Sequence, residues 1–269
     1  MNSRRILSDI KILRSVYYKP TLVFGENMKY KIADLIVEMT PKYEESIRLA
    51  EPFIYDGDRE TDIKLKISYD YVDETAAKPN CLSTKPQLEN FAFSNVFNRA
   101  AIKHGVMLVH SSALIYNNGA YLFSADSGVG KSTHTKLWLK AFGDKVHILN
   151  DDKPVVRLYD DHAQAYGTPF DGGSGIALNE NYPLKAIIFI ERGEENSVRI
   201  PENKEVIQKL YFQTARIVNR ETAEKMLVNM ERLLHLTKFY VLTCNMDISA
   251  AHTAYKYIIE KNPNKFEVS

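Results

Sequence analysis

The sequence predicts a mixed α/β protein, and three observations support this class. Short apolar runs rich in β-forming residues recur along the chain, and between them lie stretches whose apolar residues are three and four positions apart. A glycine-bearing loop at residues 125–133 stands between a predicted strand and a predicted helix. Strand, glycine loop and helix, in this order, form the local setting of a phosphate-binding loop.

Length and charge indicate the number of domains and exclude some classes of partner. The chain has 269 residues, enough for one large α/β domain or for a small domain and a medium one. With 35 basic and 34 acidic residues and a net charge of +1, no overall field draws it to nucleic acid or to an anionic membrane. It shows no signal-peptide pattern and no run of roughly 18 apolar residues. We therefore expect a cytoplasmic protein that binds neither nucleic acid nor membrane.

Residues 1–87 are predicted to form a small β-rich N-terminal region. β-forming residues collect at 30–37 and 63–69, between turn residues. Charged and apolar residues at 1–14 favour a short amphipathic helix over a nucleic-acid-binding arm. Residues 72–88 contain two prolines among polar residues and are predicted to form a loop. The role of this region is not predicted.

Residues 88–269 are predicted to form the second domain, which contains the glycine loop. In this domain a hairpin turn is predicted at Asn117-Asn118-Gly119, and helices are predicted to end at Gly105 and Gly143. Its predicted helices lie at 88–104, 133–142, 204–211, 221–236 and 248–261. Its predicted strands lie at 106–109, 113–116, 120–124, 146–149, 155–158, 184–190 and 239–243.

The glycine loop matches the second half of the phosphate-loop pattern G-x-x-x-x-G-K-[ST] without deviation. Ala125 stands where the first glycine belongs, which is acceptable if its φ is negative. Gly128 and Gly130 allow the tight curvature through which successive backbone N–H groups converge on phosphate oxygens. Lys131 is expected to reach the β- and γ-phosphates, and Ser132 to ligate Mg²⁺. The residues predicted to bind ATP are Ser127, Gly128, Val129, Gly130, Lys131, Ser132 and Thr133.

An acidic pair, Asp151 and Asp152, ends the apolar run that starts at Val146. Successive residues of an extended chain face opposite ways, so the two carboxylates are expected to divide metal binding and proton transfer between them. An acidic turn is the alternative interpretation. Two histidines lie nearby in the sequence: a lone histidine such as His110 is more often structural than catalytic, and His134 is expected on a helix surface.

Five segments, taken together, resemble the bifunctional HPr kinase/phosphorylase family and, more closely, its kinase-only relatives. They occur in the family's order: V-H-S-S-A-L at 109–114, L-F-S-A-D-S-G-V-G-K-S-T at 122–133, I-L-N-D-D at 148–152, Y-G-T-P-F-D-G at 166–172 and I-F-I-E-R-G at 188–193. The resemblance covers about residues 90–260. It implies a mixed-sheet phosphate-loop kinase core, like that of phosphoenolpyruvate carboxykinase, after a small β-rich lead-in.

The resemblance also implies roles for particular residues. His110 matches the family's active-site histidine, and Lys131 is the catalytic lysine of the loop. Asp151 and Asp152 match the family's acidic pair, from which we assign Asp151 as the base and Asp152 as the metal partner, with the exchanged assignment nearly equal. Arg192 is expected either to meet phosphate or an acidic substrate, or to be a solvated loop arginine.

The predicted activity is ATP-dependent and Mg²⁺-dependent transfer of the γ-phosphate to a hydroxyl, most plausibly of a serine in a peptide or small protein. The bifunctional enzymes carry a glutamate-containing signature where this chain has G-T-P-F-D-G-G-S-G at 167–175, so phosphorolysis and HPr itself are not predicted. Asp171 is the residue of that stretch that offers a carboxylate in place of the glutamate. The alternatives are a kinase for a sugar, polyol or free serine, and a non-catalytic nucleotide-binding regulator. The relatives often form oligomers, so a homo-oligomer is compatible with the resemblance.

Overall fold

The computed structural model describes residues 28–126, 128–214 and 219–261. Within these stretches the chain forms a three-stranded sheet and a nine-stranded mixed sheet, with helices packed on both. The amphipathic helix predicted at 1–14 and the predicted ligand Ser127 lie outside the described residues. None of the described helices has the length and hydrophobicity that a bilayer crossing requires.

The small sheet consists of β1 (Met28–Ile32), β2 (Leu35–Met39) and β3 (Ile63–Lys64). β1 and β2 are an antiparallel hairpin whose two turn residues, Ala33 and Asp34, have positive φ values of 51° and 60°. The β-forming run predicted at 30–37 is therefore divided between two strands, with the turn in its middle. A two-residue turn with both φ angles positive favours Asn and Gly, and Ala33 gives no such signal in the sequence.

Three helices follow: α1 (Glu44–Ala50), α2 (Tyr69–Ala76) and α3 (Lys85–Ala101). The loop predicted at 72–88 is confirmed only at 77–84, because α2 extends to Ala76 and α3 begins at Lys85. Pro86 is in the first turn of α3, where a proline costs no hydrogen bond, and Thr84 caps the helix in a capping box with Gln87. The predicted stop at Gly105 is confirmed, since its φ is 71° after a 3₁₀ turn.

The large sheet contains the other nine described strands. They are β4 (Val106–Leu108), β5 (Ser111–Tyr116), β6 (Gly119–Ser124), β7 (Val146–Asp152), β8 (Val155–Leu158), β9 (Ala163–Tyr166), β10 (Asn181–Arg192), β11 (Ser197–Arg199) and β12 (Lys238–Cys244). β10 first pairs antiparallel with β9 and then runs parallel to both β6 and β12. It thereby joins an antiparallel part, β4-β8-β9, to a mixed part, β7-β5-β6-β10-β12-β11. The predicted mixed sheet and mixed α/β class are confirmed.

Helices cover both faces of the mixed part. They are α4 (Lys131–Phe142), α5 (Asn203–Gln213), α6 (Arg220–Leu236) and α7 (Ser249–Ala254), which a π-helical turn extends to Glu260. Alternate residues of β10 decide which helices lie where, because side chains of a strand point to opposite faces. Ile188 packs in the cluster with α4 and α7, whereas Ile187 and Phe189 pack in the cluster with α5 and α6.

The small sheet also packs against the large one. An apolar cluster combines Phe53 and Phe97 with Val155 and Phe170, so it contains residues from both sides of position 87. The two-domain division at that position stays a prediction. The packing means that α3 is held against the antiparallel part of the large sheet, beside the end of β7.

Candidate functional site

Strand pairing brings together motifs that are far apart in the sequence. β5 lies between β6 and β7 and is antiparallel to both, so Ser111 at its start pairs with Ser124 on one side and with Asp152 on the other. The residue before β5 is His110. The phosphate loop follows Ser124 and the acidic pair ends β7, so the histidine, the loop and the two carboxylates meet at one edge of the sheet.

The phosphate loop needs its two central glycines for backbone conformation. Gly128 and Gly130 have φ values of 78° and 127°, in the region that side-chain-bearing residues avoid. A Cβ atom at Gly128 would meet nothing within 4 Å, so the requirement there is conformational and not steric. Among the described residues the non-glycine positions with positive φ do not include Ala125, so alanine is acceptable in place of the first glycine.

Lys131 is the first residue of α4 and is only 9% exposed. Its Nζ donates to the Ala125 carbonyl at 3.0 Å, which holds the ammonium over the loop. Burial lowers the pKa of this lysine, while the carboxylates of Asp152, Asp151 and Asp126 act in the opposite direction. A partly desolvated cation at this position is well suited to bind phosphate oxygens.

The two carboxylates of the acidic pair have different partners. Asp151 accepts a hydrogen bond from Ser132 Oγ at 3.1 Å, so it lies on the side of the phosphate loop. Asp152 contacts His110 Nε2 at 3.0 Å. The alternation expected for an extended chain is therefore present: Asp151 faces Ser132, and Asp152 faces His110.

Asp152 is the most constrained residue of the site. Its φ is 132°, a strained value for a residue with a side chain. Burial acts to raise the pKa of its carboxyl, but the contacts with His110 and Lys153 hold that pKa well below its usual range. Gly172 lies so close that a Cβ there would be 2.7 Å from the Asp152 Cγ atom. A side chain at position 172 would therefore force this carboxylate to shift.

His110 is linked to the phosphate loop through a residue that the sequence did not indicate, Gln213 at the end of α5. The Gln213 amide contacts His110 Nδ1 through Oε1 at 3.0 Å and donates through Nε2 to Asp126 Oδ1 at 2.8 Å. An ionised carboxylate only accepts, so Nε2 faces Asp126 and Oε1 is left for the histidine. Both ring nitrogens of His110 then face oxygen atoms, Gln213 Oε1 and Asp152 Oδ1, which fixes the orientation of the ring.

The 167–175 stretch supports the acidic pair from the side. Asn150, fully buried, donates to the carbonyls of Thr168 at 3.0 Å and Phe170 at 3.2 Å. The carboxylate of Asp171 accepts hydrogen bonds from Ser174 Oγ at 2.7 Å and Gly175 N at 2.6 Å. Both oxygens of Asp171 are thus used in hydrogen bonds within residues 171–175. The 167–175 stretch holds Asp152 by backbone contact and not by a third carboxylate.

Two further expectations are resolved by packing. Arg192 donates to the carbonyls of Gly128 and Val129, so it braces the phosphate loop from outside. The surface position expected for His134 is wrong, because this side chain is 2% exposed and its Nε2 accepts from Trp138 Nε1 at 3.0 Å. Burial lowers the pKa of His134 to about 4. The two residues are one helical turn apart on the inner face of α4.

Two cavities flank the site. The first, about 890 Å³, lies between α3 and the end of α5 and contains His110, Asp152 and Lys153; we call it the α3–α5 cavity. The second, about 500 Å³, is the loop cavity, lined by Val129, Arg192 and neighbouring residues. Among the residues that the structure describes they share no lining residue: the first contains Asp152 of the acidic pair, and the second contains Gly128 and Gly130 of the phosphate loop.

The residues present fit a nucleotide with a metal ion. Ser132 Oγ and the Asp151 carboxylate are adjacent hard oxygen donors beside the loop. In the described stretches no group of three or more His, Cys, Asp or Glu side chains could hold a metal by itself. Mg²⁺ needs no such cage, since it is commonly bound by one or two protein oxygens together with substrate phosphates.

Comparison with known proteins yields a distant likeness to solved structures. No family model and no curated protein matches the sequence. Among solved structures the chain is similar to the HPr(Ser) kinase/phosphatase from Coxiella burnetii, with 14% identity and a TM-score of 0.29, over 47% of this chain and 96% of that one. A likeness at this level says nothing about the chemistry of the site, which rests on its own residues.

Proposed function

We propose that the protein is an ATP- and Mg²⁺-dependent kinase that transfers the γ-phosphate to a hydroxyl, of a serine in a peptide or small protein. The observation that carries this proposal is the meeting of two half-sites: Lys131 and Ser132 of the phosphate loop, and the His110–Asp152 pair that opens onto the α3–α5 cavity. A protein that only bound a nucleotide would not need the second half. The paired half-sites therefore favour catalysis over passive binding.

The nucleotide half consists of the loop, Lys131, Ser132 and Asp151. Backbone N–H groups of the loop and the Lys131 ammonium bind phosphate oxygens and stabilise the charge that develops in transfer. Ser132 and Asp151 hold Mg²⁺, which neutralises charge on the phosphates when bound. The loop cavity next to Val129 has the volume for the nucleoside.

The acceptor half consists of Asp152 with its two neighbours, His110 and Lys153. Because Asp152 faces the α3–α5 cavity and Asp151 faces Ser132, we propose Asp152 as the group that orients the acceptor hydroxyl and takes its proton. This exchanges the roles assigned from the sequence. Its low pKa suits a loose transition state, in which the hydroxyl loses its proton late and orientation matters more than basicity.

Gln213 is expected to act as a positioning residue for His110. Gln213→Leu removes both side-chain hydrogen bonds, and kcat is expected to fall about tenfold or more, with the KM for ATP nearly unchanged. Gln213→Glu keeps an acceptor for His110 and loses the donor to Asp126, so it is expected to retain more activity than Leu. Steady-state kinetics check this, with Gln208→Leu, an exposed position on α5, as the control.

Equal losses in the Leu and Glu variants would contradict a role through His110 and would indicate that Gln213 acts on the phosphate loop. A loss that follows the melting temperature of each variant would indicate a merely structural role.

The proposed function is tested by incubating the purified protein with ATP and Mg²⁺ against serine-containing peptides and, separately, against pools of sugars, polyols and free serine. Phosphopeptide formation supports the proposal. Phosphorylation of small molecules alone would support the small-molecule alternative. ATP binding, measured by calorimetry, without any phosphorylated product would favour the non-catalytic regulator and overturn the kinase proposal.

A further inference from the structure

The α3–α5 cavity has an aromatic wall that no part of the described chain covers. Phe91 on α3, Tyr71 on α2 and Phe212 on α5 line it, and these side chains are 48%, 49% and 76% exposed. Three large exposed rings around one cavity, next to catalytic groups, are typical of a surface that binds an apolar part of a ligand.

One face of α3 forms the long side of this cavity. Phe91, Asn95 and Arg99 are four residues apart and line the cavity together, as residues on one helix face do. Phe91 marks the catalytic end, because the Lys153 Nζ atom that pairs with Asp152 lies 6.0 Å from its ring centroid. Arg99 is eight residues further along, about 12 Å at roughly 1.5 Å per residue.

The cavity wall carries unpaired positive charge, and Arg99 supplies it at the end far from Phe91. Lys66 and Arg99 both line the cavity, and neither forms an ion pair or side-chain hydrogen bond with any residue in the described stretches. Lys153, by contrast, is engaged by Asp152. Unpaired cations on the wall of a binding cavity favour a ligand with a complementary negative group at that position.

The span between the two ends distinguishes classes of acceptor. A distance of about 12 Å corresponds to three or four residues of extended chain, at about 3.3 Å per residue. The span of about 12 Å runs along α3 from Phe91, which is next to the Lys153–Asp152 pair, to Arg99, and it exceeds the length of a free serine or a small polyol. An extended peptide reaches both ends and also covers the aromatic wall.

We propose that the acceptor is a peptide segment with an acidic side chain three or four residues from the phosphorylated hydroxyl and apolar side chains between them. The acidic group pairs with Arg99, and the apolar side chains pack on Phe91 and Phe212. This inference rests on the proposed kinase function and specifies the substrate of the same site.

The test uses a library of serine peptides in which positions up to five residues on either side carry Asp, Ala or Lys in turn. With labelled ATP, the unchanged protein is expected to show about tenfold higher kcat/KM for Asp than for Lys at one position three or four residues from the serine. Arg99→Glu is expected to lose or invert this preference and Arg99→Gln to weaken it. Arg48→Glu on α1, outside the cavity, is the matched control and is expected to behave like the unchanged protein.

Three results overturn the inference and leave the kinase function standing: phosphorylation of peptides without any charge preference, an unchanged preference in Arg99→Glu, or transfer to small molecules only. Absence of transfer to any acceptor, with ATP still bound, removes both proposals. Melting temperatures within a few degrees of one another exclude misfolding as the cause of altered preference in the Arg99 variants.

Discussion

Asp152→Asn is expected to reduce phosphoryl transfer by about 10³-fold, while the affinity for ATP stays within a few-fold of that of the unchanged protein. The variant keeps the shape of the side chain and one acceptor for His110 Nε2 or Lys153. It loses the negative charge and the proton acceptor in front of the α3–α5 cavity. Single-turnover phosphorylation of an acceptor peptide measures the transfer step, and calorimetry with ATP measures binding.

Asp151→Asn is the variant to compare with Asp152→Asn, because the same chemical change is made at two adjacent positions. Asp151 contacts Ser132 beside the phosphate loop, so its loss is expected mainly to raise the Mg²⁺ concentration that gives half the maximal rate. Excess Mg²⁺ is expected to restore much of the rate in Asp151→Asn and none in Asp152→Asn. The reverse pattern would support Asp151 as the base and Asp152 as the metal partner, as first assigned from the sequence.

Lys131→Met is expected to lower kcat/KM for ATP by about 10²- to 10³-fold. Lys131 donates to the Ala125 carbonyl of the loop, and methionine replaces its apolar stem without its charge. The substitution also leaves Asp126, Asp151 and Asp152 without the positive neighbour that the buried ammonium supplies. Steady-state kinetics with varied ATP at saturating Mg²⁺ check the prediction.

Lys136→Met, on the exposed side of the same helix, is the matched control and is expected to be neutral. Near-normal kcat/KM in Lys131→Met would argue that the loop does not bind the phosphates of the reacting nucleotide. A loss of equal size in both variants would point to damage to α4 and not to a lost contact with phosphate.

Features that depend on a few neighbouring residues were predictable from the sequence. The hairpin at Asn117-Asn118 is confirmed, with positive φ at both residues, because the signal and the turn are the same two positions. The turn at Ala33-Asp34 was missed for the opposite reason, since its conformation is imposed from outside. There the Asp34 carboxylate accepts hydrogen bonds from Tyr166 at 2.6 Å and Tyr159 at 3.1 Å, far along the chain.

The candidate site divides in the same way. The loop lysine and serine and the acidic pair follow from local patterns, and His110 was singled out through a resemblance. Gln213 carries no local signal, since it stands 103 residues from His110 and 87 from Asp126 and meets them only through the fold. Lys153 had a weak signal, its position directly after the acidic pair. His134 was misjudged because the pattern of α4 does not reveal which face the sheet covers.

The strained backbone at Asp152 limits how the site can be moved to another protein. A φ of 132° is not a conformation that a short strand adopts alone, and it is maintained by Gly172, Lys153 and the asparagine-bound turn at 168–170. A fragment containing only the loop and the acidic pair would lack these restraints, and its carboxylate would relax away from the histidine. Transplanting the motif to another scaffold therefore requires moving the surrounding loop with it, including a glycine at position 172 that leaves space beside the Asp152 carboxylate.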